Sequence, residues 1–267
     1  MNGAQTEPAS SESRSPSIQT PRDVGVVMPT ICRSTIVRAV ESVFRQDISG
    51  KIHLVIGVDA VERDRSALRQ LLQSCPDHVT ITVLDPGYST SRRHGGLHPA
   101  SDGGVLRTIL SYLVNAPLVA YLDDDNWWAP DHLSSLMSAI HGKGWAFSYR
   151  WFADPGTGEP LCEDRRESVG PDRGVFAQKA GGFVDPNTLM INKMICEPVL
   201  RFWSVPVFKE AGNAADRNVF SALRAGYAWA ATGRATSFYT IRPGDSMDPY
   251  RQKWIADWKA HRDAGTT

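Results

Sequence analysis

The chain has 267 residues, of which 42% are hydrophobic and 22% are charged, and 29 Lys and Arg residues balance 29 Asp and Glu residues. This composition is typical of a globular protein with an ordinary buried core. Because proteins that bind nucleic acids usually carry a basic excess, the zero net charge argues against a nucleic-acid partner. No apolar stretch approaches the roughly 18 residues needed to cross a bilayer, so no membrane span is predicted.

The N-terminal residues 1–22 are polar and rich in Ser, Pro and Gln, without the apolar stretch of a secretory signal. Such a composition predicts a disordered tail. The four cysteines are far apart and form no CxxC pair, which argues against a zinc site and a disulfide framework. A reduced, cytoplasmic protein is therefore expected.

From residue 23 the chain alternates between short apolar runs and amphipathic stretches. Strands are predicted at residues 23–30, 52–58, 79–84 and 118–122. Helices are predicted at residues 34–47, 66–72, 105–115 and 130–141, with Ser34 placed to cap the first. This alternation indicates βαβ units, and therefore a parallel sheet with helices on both faces.

The regular alternation of strands and helices stops after about residue 144. This change predicts a second lobe at residues 145–246 rather than a linker. The predicted elements are a strand at 145–152, a hairpin turn at 153–160, a polar loop at 162–182, a helix at 213–224 and strands at 227–231 and 236–241. A helical tail is predicted at residues 247–267. Its Trp254 and Trp258, four residues apart, predict core packing or self-association into a homo-oligomer.

Three consecutive aspartates, Asp123, Asp124 and Asp125, follow the fourth predicted strand in the segment YLDDDNWWAPDHL. In open parallel sheets, ligands bind just beyond the carboxyl ends of the strands. Adjacent carboxylates repel one another unless a cation or hydrogen bonds compensate, and oxygen ligands of this kind suit Mg²⁺ or Mn²⁺. The alternative is a solvated acidic turn, and the absence of Lys and Arg in this segment favours a binding site.

Two other enzyme classes fit the sequence less well. A haloacid-dehalogenase-like phosphatase needs a nucleophilic aspartate after the first strand, where this chain has PTIC at residues 29–32. The chain also contains no GxxxxGK[ST] phosphate loop. A nucleotidyltransferase, which normally opens with a Gly-rich loop after that strand, is disfavoured by VVMPTICR.

The order of the motifs resembles that of family 2 glycosyltransferases of the GT-A fold, over residues 23–246. The segments that carry this resemblance are VVMPTICR with the helix RAVESVFRQD, IGVDA, YLDDDNWWAPDHL, AADRNVFSALRAGY and FYTIRPGDS. The resemblance implies an α/β, Rossmann-like, mostly parallel sheet with helices on both faces. It also implies a nucleotide-sugar-binding half at residues 23–144 and a smaller acceptor-binding, catalytic part at residues 145–246.

The same resemblance implies the roles of the donor-site residues. Asp59 is expected to meet the nucleobase, most often uracil, although a helix N-cap is the alternative role for this residue. Asp124 is expected near the ribose or sugar, and Asp125 on a metal ion that bridges the diphosphate, with Asp123 as the other possible ligand. The remaining expected donor contacts are Pro29, Thr30, Arg92 and Arg93.

The activity implied is metal-dependent, inverting transfer of a sugar from a nucleotide diphosphate sugar, with UDP expected, to a small-molecule or glycan acceptor hydroxyl. The implied cofactor is Mn²⁺ or Mg²⁺, acting as a Lewis acid on the departing diphosphate. Asp216 is the candidate base, and Asp185 is the next candidate. The alternative for Asp216 is a helix-start aspartate that the helix dipole favours. A non-catalytic sugar-nucleotide-binding protein remains the alternative function.

Several further features bear on the acceptor side and on the loops. One of Trp127 and Trp128 is expected to stack on a sugar ring and the other to pack under the following helix. The segments at residues 86–104 and 162–179 could contact the diphosphate or the acceptor, or order as a lid, and solvation is the alternative. The chain departs from the family pattern at Ala215, where Glu is usual, and at Arg242, where many relatives carry His.

Overall fold

The computed structural model describes residues 20–60, 64–101 and 103–263. Most of the tail predicted at residues 1–22, the last four residues of the predicted C-terminal tail and position 102 of the 86–104 loop therefore lie outside the described residues. The strands are β1 (Val24–Thr30), β2 (Ile52–Val58), β3 (Val79–Leu84), β4 (Leu118–Tyr121), β5 (Trp127–Trp128), β6 (Trp145–Ala153), β7 (Pro160–Glu163), β8 (Gly170–Pro171), β9 (Gly182–Phe183), β10 (Leu189–Asn192) and β11 (Trp229–Thr240). The α-helices are α1 (Ile36–Phe44), α2 (Ser66–Gln73), α3 (Gly104–Leu113), α4 (His132–Ala139), α5 (Ala177–Ala180), α6 (Lys193–Cys196), α7 (Ala215–Gly226) and α8 (Asp248–Asp263).

Nine of the described strands form one sheet in the order β3-β2-β1-β4-β10-β6-β11-β5, with β7 paired to β6. The pairs among β1, β2, β3 and β4 are parallel, and so is the pair of β6 with β11. Strand β10 runs antiparallel to both β4 and β6 and so joins the two parallel parts. The prediction of a mostly parallel α/β sheet with flanking helices is confirmed.

The central strands β1 and β2 are buried along their whole length. Because successive side chains point to opposite faces, each strand contributes to two cores. In β1, Val26 and Met28 pack with α1, α2 and α4, whereas Val27 packs with α3 and α7 on the other face. Helices therefore cover both faces, which explains why these strands read as continuous apolar runs.

Several predicted element boundaries need correction, among them the 130–141 helix, which runs from His132 to Ala139. Helix α1 begins at Ile36, with Thr35 rather than Ser34 at the N-cap position and no side-chain cap, so the predicted Ser34 cap is wrong. The predicted strands at 227–231 and 236–241 are one strand, β11, whose register against β6 shifts around Gly233, a residue with φ of 72°. The predicted 213–224 helix begins at Ala215.

The C-terminal helix α8 packs against the chain's own second part. Its Ile255 lies in a small core with Phe152, Cys162 and Ile241. Trp258 contacts the ring of Trp151 edge-on, with 6.0 Å between ring centroids. In the part of the chain that the structure describes, no helix combines the length and apolarity needed to traverse a lipid bilayer.

Candidate functional site

A cavity of about 540 Å³ lies at the carboxyl ends of β1, β2 and β4, where the topology rule for open parallel sheets places a ligand. Its volume is within the range of small-molecule sites. The lining includes seven of the residues predicted from the sequence for donor or metal binding: Pro29, Thr30, Asp59, Arg93, Asp123, Asp124 and Asp125. The two candidate bases, Asp185 and Asp216, line the same cavity.

Asp124 is fixed by the turn that follows β1. Its Oδ2 accepts hydrogen bonds from the Thr30 hydroxyl at 2.6 Å and from the Ile31 backbone N–H at 3.3 Å. Its other oxygen forms an ion pair with Arg33. The turn is tight because Cys32 adopts a left-handed φ of 58°, which lets its N–H donate back to the Thr30 hydroxyl at 2.8 Å.

Asp123 lies between the two parts of the chain. Its carboxylate forms an ion pair with Arg107 of α3 and accepts a hydrogen bond from the Asn187 side-chain amide at 3.0 Å. Burial alone would raise the pKa of Asp123, but the Arg107 charge and the Asn187 hydrogen bond outweigh burial and hold that pKa below its usual value. Asp123 is therefore an ionised, fully engaged carboxylate.

Asp125 is paired with Arg242, which follows β11, at 2.7 Å, and Arg33 lies 3.9 Å from the same oxygen. Burial and the neighbouring Asp123 charge raise the pKa of Asp125, and Arg242 opposes them. The lack of basic residues in the YLDDDNWWAPDHL segment was therefore misleading, because arginines from three other elements come to the aspartates in space. The sequence analysis did not identify Arg33 and Arg107 as site residues. Arg33 could have been found from its position just after β1, and Arg107 from its position in the first turn of α3, because both places lie at the ligand-binding edge of the sheet.

These pairings decide whether the three aspartates fit a divalent cation. Their oxygens are the ligand type that Mg²⁺ and Mn²⁺ prefer. Each carboxylate, however, already neutralises a guanidinium group. No group of three or more His, Cys, Asp or Glu side chains among the described residues is placed to hold a metal ion. As arranged, this donor set does not fit a metal ion.

Asp59 directly follows β2 and is buried. Its Oδ1 accepts the Thr90 backbone N–H at 2.5 Å, and its own N–H donates to the Thr30 carbonyl at 2.8 Å. It does not cap α2, whose N-cap position is Arg65. Asp59 therefore ties the 86–104 loop to the cavity wall.

The two arginines predicted from that loop separate in space. Arg93 lines the cavity, and one of its guanidinium N–H groups donates to the Ala211 carbonyl at 3.3 Å. Arg92 is not among the described lining residues, and its Nε donates to the Leu97 carbonyl at 2.9 Å within the loop. Of the 162–179 loop, Glu167 and Phe176 reach the cavity.

Asp216 lies in the first turn of α7 and lines the cavity. Burial, together with the negative charge of Asp185, raises the pKa of Asp216 to about 6. Its carboxylate accepts a hydrogen bond from the Arg217 backbone N–H at 2.9 Å. A carboxylate with a pKa close to neutral is suited to accept a proton during catalysis.

Asp185 is engaged far more heavily than Asp216. Its Oδ2 pairs with Arg150 at 2.5 Å, and its Oδ1 accepts hydrogen bonds from the backbone and side-chain N–H groups of Asn187 at 2.9 and 2.7 Å. Both oxygens of Asp185 are thus already occupied by groups of the chain itself. The arrangement favours Asp216 over Asp185 as the candidate base.

Arg150 lines the cavity and lies buried among three carboxylates. It pairs with Asp164 at 2.8 Å, with Glu167 at 2.9 Å and with Asp185. Arg251 of α8 adds a second cation on Glu167 at 2.7 Å. This network was missed in the sequence, although a lone arginine within the aromatic strand WAFSYRWFA signals a buried ion pair.

Trp127 and Trp128 lie outside the described cavity lining. The Arg38 guanidinium covers the ring of Trp127 at 3.6 Å from its centroid, and Phe238 stacks on it at 5.2 Å. Trp128 stacks on His132 of α4 and donates from Nε1 to the Asn187 carbonyl at 2.8 Å. Trp128 thus packs on the following helix, as expected for one of the two rings. Stacking of Trp127 on a sugar ring stays a prediction.

Neither the models of known protein families nor the curated protein sequences include a match to this chain. Solved structures do match it. S. aureus TarS superposes with a TM-score of 0.58 at 15% identity, over 88% of this chain and 39% of that chain. TarS 1-349 in complex with UDP-GlcNAc gives 0.59 at 14% identity, over 85% of this chain and 60% of that chain.

The mannosyltransferase PcManGT from Pyrobaculum calidifontis, in complex with GDP-Man and Mn²⁺, gives a TM-score of 0.55 at 14% identity, over 90% of this chain and 62% of that chain. The chain thus spans between 39% and 62% of the length of these three chains. At such low identity the matches bear on architecture rather than on activity. The chain has the α/β fold of these GT-A glycosyltransferases.

Proposed function

We propose that this protein is an inverting glycosyltransferase that moves a sugar from a nucleotide diphosphate sugar, with UDP as the expected nucleotide, to the hydroxyl group of a small-molecule or glycan acceptor. One observation carries the proposal: Asp216, with its raised pKa, lines the same cavity as the strand-end residues Thr30, Asp59 and Asp123 to Asp125. The fold likeness to proteins solved with UDP-GlcNAc and GDP-Man supports the donor class.

In this proposal the nucleoside lies against β1 and β2, near Thr30 and Asp59, and the diphosphate lies at the end of β4. The sugar then points toward α7, where Asp216 faces the acceptor. Residues 23–144 thereby supply the donor site and residues 145–246 most of the acceptor site. The cavity volume of about 540 Å³ suits a ligand of this size.

The reaction is a single displacement at the anomeric carbon. Asp216 accepts the proton of the acceptor hydroxyl while that oxygen attacks the anomeric carbon. The bond from this carbon to the diphosphate oxygen breaks, and its electron pair leaves with the nucleoside diphosphate. Attack opposite to the leaving group inverts the configuration, and positive side chains beside the diphosphate stabilise the charge that develops on it.

A panel of UDP-GlcNAc, UDP-glucose and GDP-mannose tests the proposal. We expect at least one to raise the melting temperature and to release its nucleoside diphosphate slowly by hydrolysis, with NMR showing an inverted anomeric configuration in the sugar released. If neither these three donors nor a wider panel of nucleotide sugars raises the melting temperature, the proposal is contradicted. Pyrophosphate release from a nucleoside triphosphate and a sugar phosphate would indicate a nucleotidyltransferase instead. Binding without hydrolysis or transfer would indicate a non-catalytic nucleotide-sugar-binding protein.

A further inference from the structure

The three aspartates at the end of β4 are each neutralised by an arginine from a different part of the chain. Arg33 comes from the turn after β1, Arg107 from α3 and Arg242 from the segment after β11. These arginines all line the cavity. The charge of the aspartates is thus already balanced, with three guanidinium groups directed into the donor end of the site.

This arrangement is unfavourable for a divalent cation at Asp125. Its Oδ2 lies 2.7 Å from Arg242 and 3.9 Å from Arg33. An ion bound to that oxygen would meet two guanidinium groups at close range, and like charges at such distances repel strongly in a partly buried site. Binding a metal there would require both ion pairs to open.

The same arrangement is favourable for phosphate groups. The Arg33 and Arg242 side chains are 41% and 56% exposed, and a guanidinium group has five N–H donors, of which one ion pair uses only some. Planar guanidinium groups bind phosphate oxygens with paired, charge-assisted hydrogen bonds. The aspartates would act as positioning residues that hold these donors in a fixed orientation.

We infer that Arg33 and Arg242 take the place of a divalent cation toward the diphosphate of the donor, so that this protein binds nucleoside diphosphates without a metal. The inference rests on the proposed function, because it concerns the leaving group of the same reaction. It assigns the stabilisation of the departing diphosphate to two side chains of the chain itself.

Calorimetry with UDP and GDP, each in EDTA and in Mn²⁺, tests the inference. We expect the dissociation constant of the preferred nucleotide to agree within about twofold between the two conditions. Binding that appears only with Mn²⁺ overturns the inference and leaves the proposed glycosyltransferase intact. Absence of binding of any nucleoside diphosphate in either condition overturns both.

Variants test the residues themselves. Arg242→Gln should weaken UDP binding in EDTA about tenfold or more while changing UMP binding much less, because the lost charge faces the diphosphate. The double variant Arg33→Gln, Arg242→Gln, which lacks both ion pairs of Asp125, should become responsive to Mn²⁺, and adding Asp125→Asn should remove that response. Arg45→Gln is the matched control, since Arg45 is similarly exposed at 58% and pairs with Glu41 outside the cavity lining.

An Arg242→Gln protein that keeps its UDP affinity, or that loses UDP and UMP affinity equally, overturns the assignment. Melting temperatures establish whether each variant is folded. If Arg242→Gln does not fold, Arg33→Gln is measured with the same two ligands and judged by the same ratio of affinities.

Discussion

The side chain of Asn187 holds Asp123 at two points: its Oδ1 accepts the Asp123 backbone N–H at 2.7 Å, and its Nδ2 donates to the Asp123 carboxylate at 3.0 Å. The same Nδ2 donates to Asp185 at 2.7 Å. One fully buried amide therefore connects the end of β4 with the carboxylate beside the candidate base. Asn187 therefore links the β4 wall of the cavity with Asp185 in the second part of the chain.

Replacing this amide should weaken the fold. Asn187→Ala leaves the Asp123 N–H and one oxygen each of Asp123 and Asp185 with fewer partners in a buried region, and each such loss costs about 1–3 kcal/mol. We expect the free energy of unfolding, measured in urea, to fall by about 2–4 kcal/mol. Asn218→Ala is the control, because Asn218 lies on α7 and donates to one carbonyl, that of Val205, at an exposed position. Equal stability of the two variants would contradict this account.

Removing the candidate base should abolish transfer without disturbing the donor. Asp216→Asn keeps the shape of the side chain but cannot accept the acceptor proton, and loss of a general base lowers rates by about 10²–10⁴-fold. We expect kcat to fall in this range while UDP affinity, measured by calorimetry, stays unchanged. Asp172→Asn is the matched control, since Asp172 is 69% exposed and pairs with Arg224. Full turnover by Asp216→Asn would move the base elsewhere.

The raised pKa of Asp216 predicts the pH dependence of activity. A base must be deprotonated, and burial with the Asp185 charge raises the pKa of Asp216 to about 6. We therefore expect kcat/KM to rise about tenfold per pH unit below 6 and to level off above it. Initial rates from pH 5 to 8 measure this profile. A rate that is constant across that range would show that Asp216 does not titrate in the reaction.

The same shift predicts a stability effect of known sign. The folded protein keeps the Asp216 proton up to about pH 6, whereas the usual pKa is 3.8. Between these values the folded state binds more protons than the unfolded chain, so the contribution of Asp216 to stability falls as pH rises through this window. The melting temperature of Asp216→Asn minus that of the parent protein should therefore be larger at pH 7 than at pH 4. A difference that does not change with pH would contradict this reasoning.

The sequence was sufficient for the parts of the molecule that depend on local pattern. The buried runs of β1 and β2 and the placement of Asp59 and Asp123 at strand ends follow from periodicity and from the topology of parallel sheets. The partners of those aspartates could not be predicted, because Arg33 and Arg242 lie 91 and 117 residues from Asp124 and Asp125 along the chain. Such pairs depend on tertiary packing, which leaves no periodic signal.

The orientation of the two tryptophans could not be predicted for a related reason. Their position directly after the aspartates suggested a ligand contact, but Trp127 and Trp128 form β5, which pairs with Phe238 and Ser237 of β11. That pairing fixes the direction in which both rings point, and it joins residues that are far apart in the sequence. The position of these tryptophans next to the three aspartates therefore does not predict where their rings point, because pairing with a strand distant in sequence sets that direction.

The buried Arg150 gives the most demanding test of the second part of the chain. Arg150→Met keeps much of the side-chain volume but leaves Asp164 and Asp185 without their cation, and Glu167 with Arg251 alone. Removing one partner of a buried ion pair costs about 3–5 kcal/mol, because the remaining charge stays desolvated. We expect a loss of this size in urea unfolding at pH 7. Arg45→Met, at an exposed helix pair, should cost less than about 1 kcal/mol.

Arg150→Met should also shift the pH profile of transfer. Such a shift would show that Arg150 acts through its charge, because a loss of packing alone would not move the profile. Arg150 neutralises Asp185, and the Asp185 charge is one cause of the raised pKa of Asp216. Without Arg150, an ionised Asp185 acts on Asp216 uncompensated, so the midpoint of the activity profile should move to higher pH. Double replacement, Arg150→Met with Asp185→Asn, removes that charge and should return the midpoint to the parent value or below. An unchanged midpoint in the single variant would contradict the proposed link between the two carboxylates.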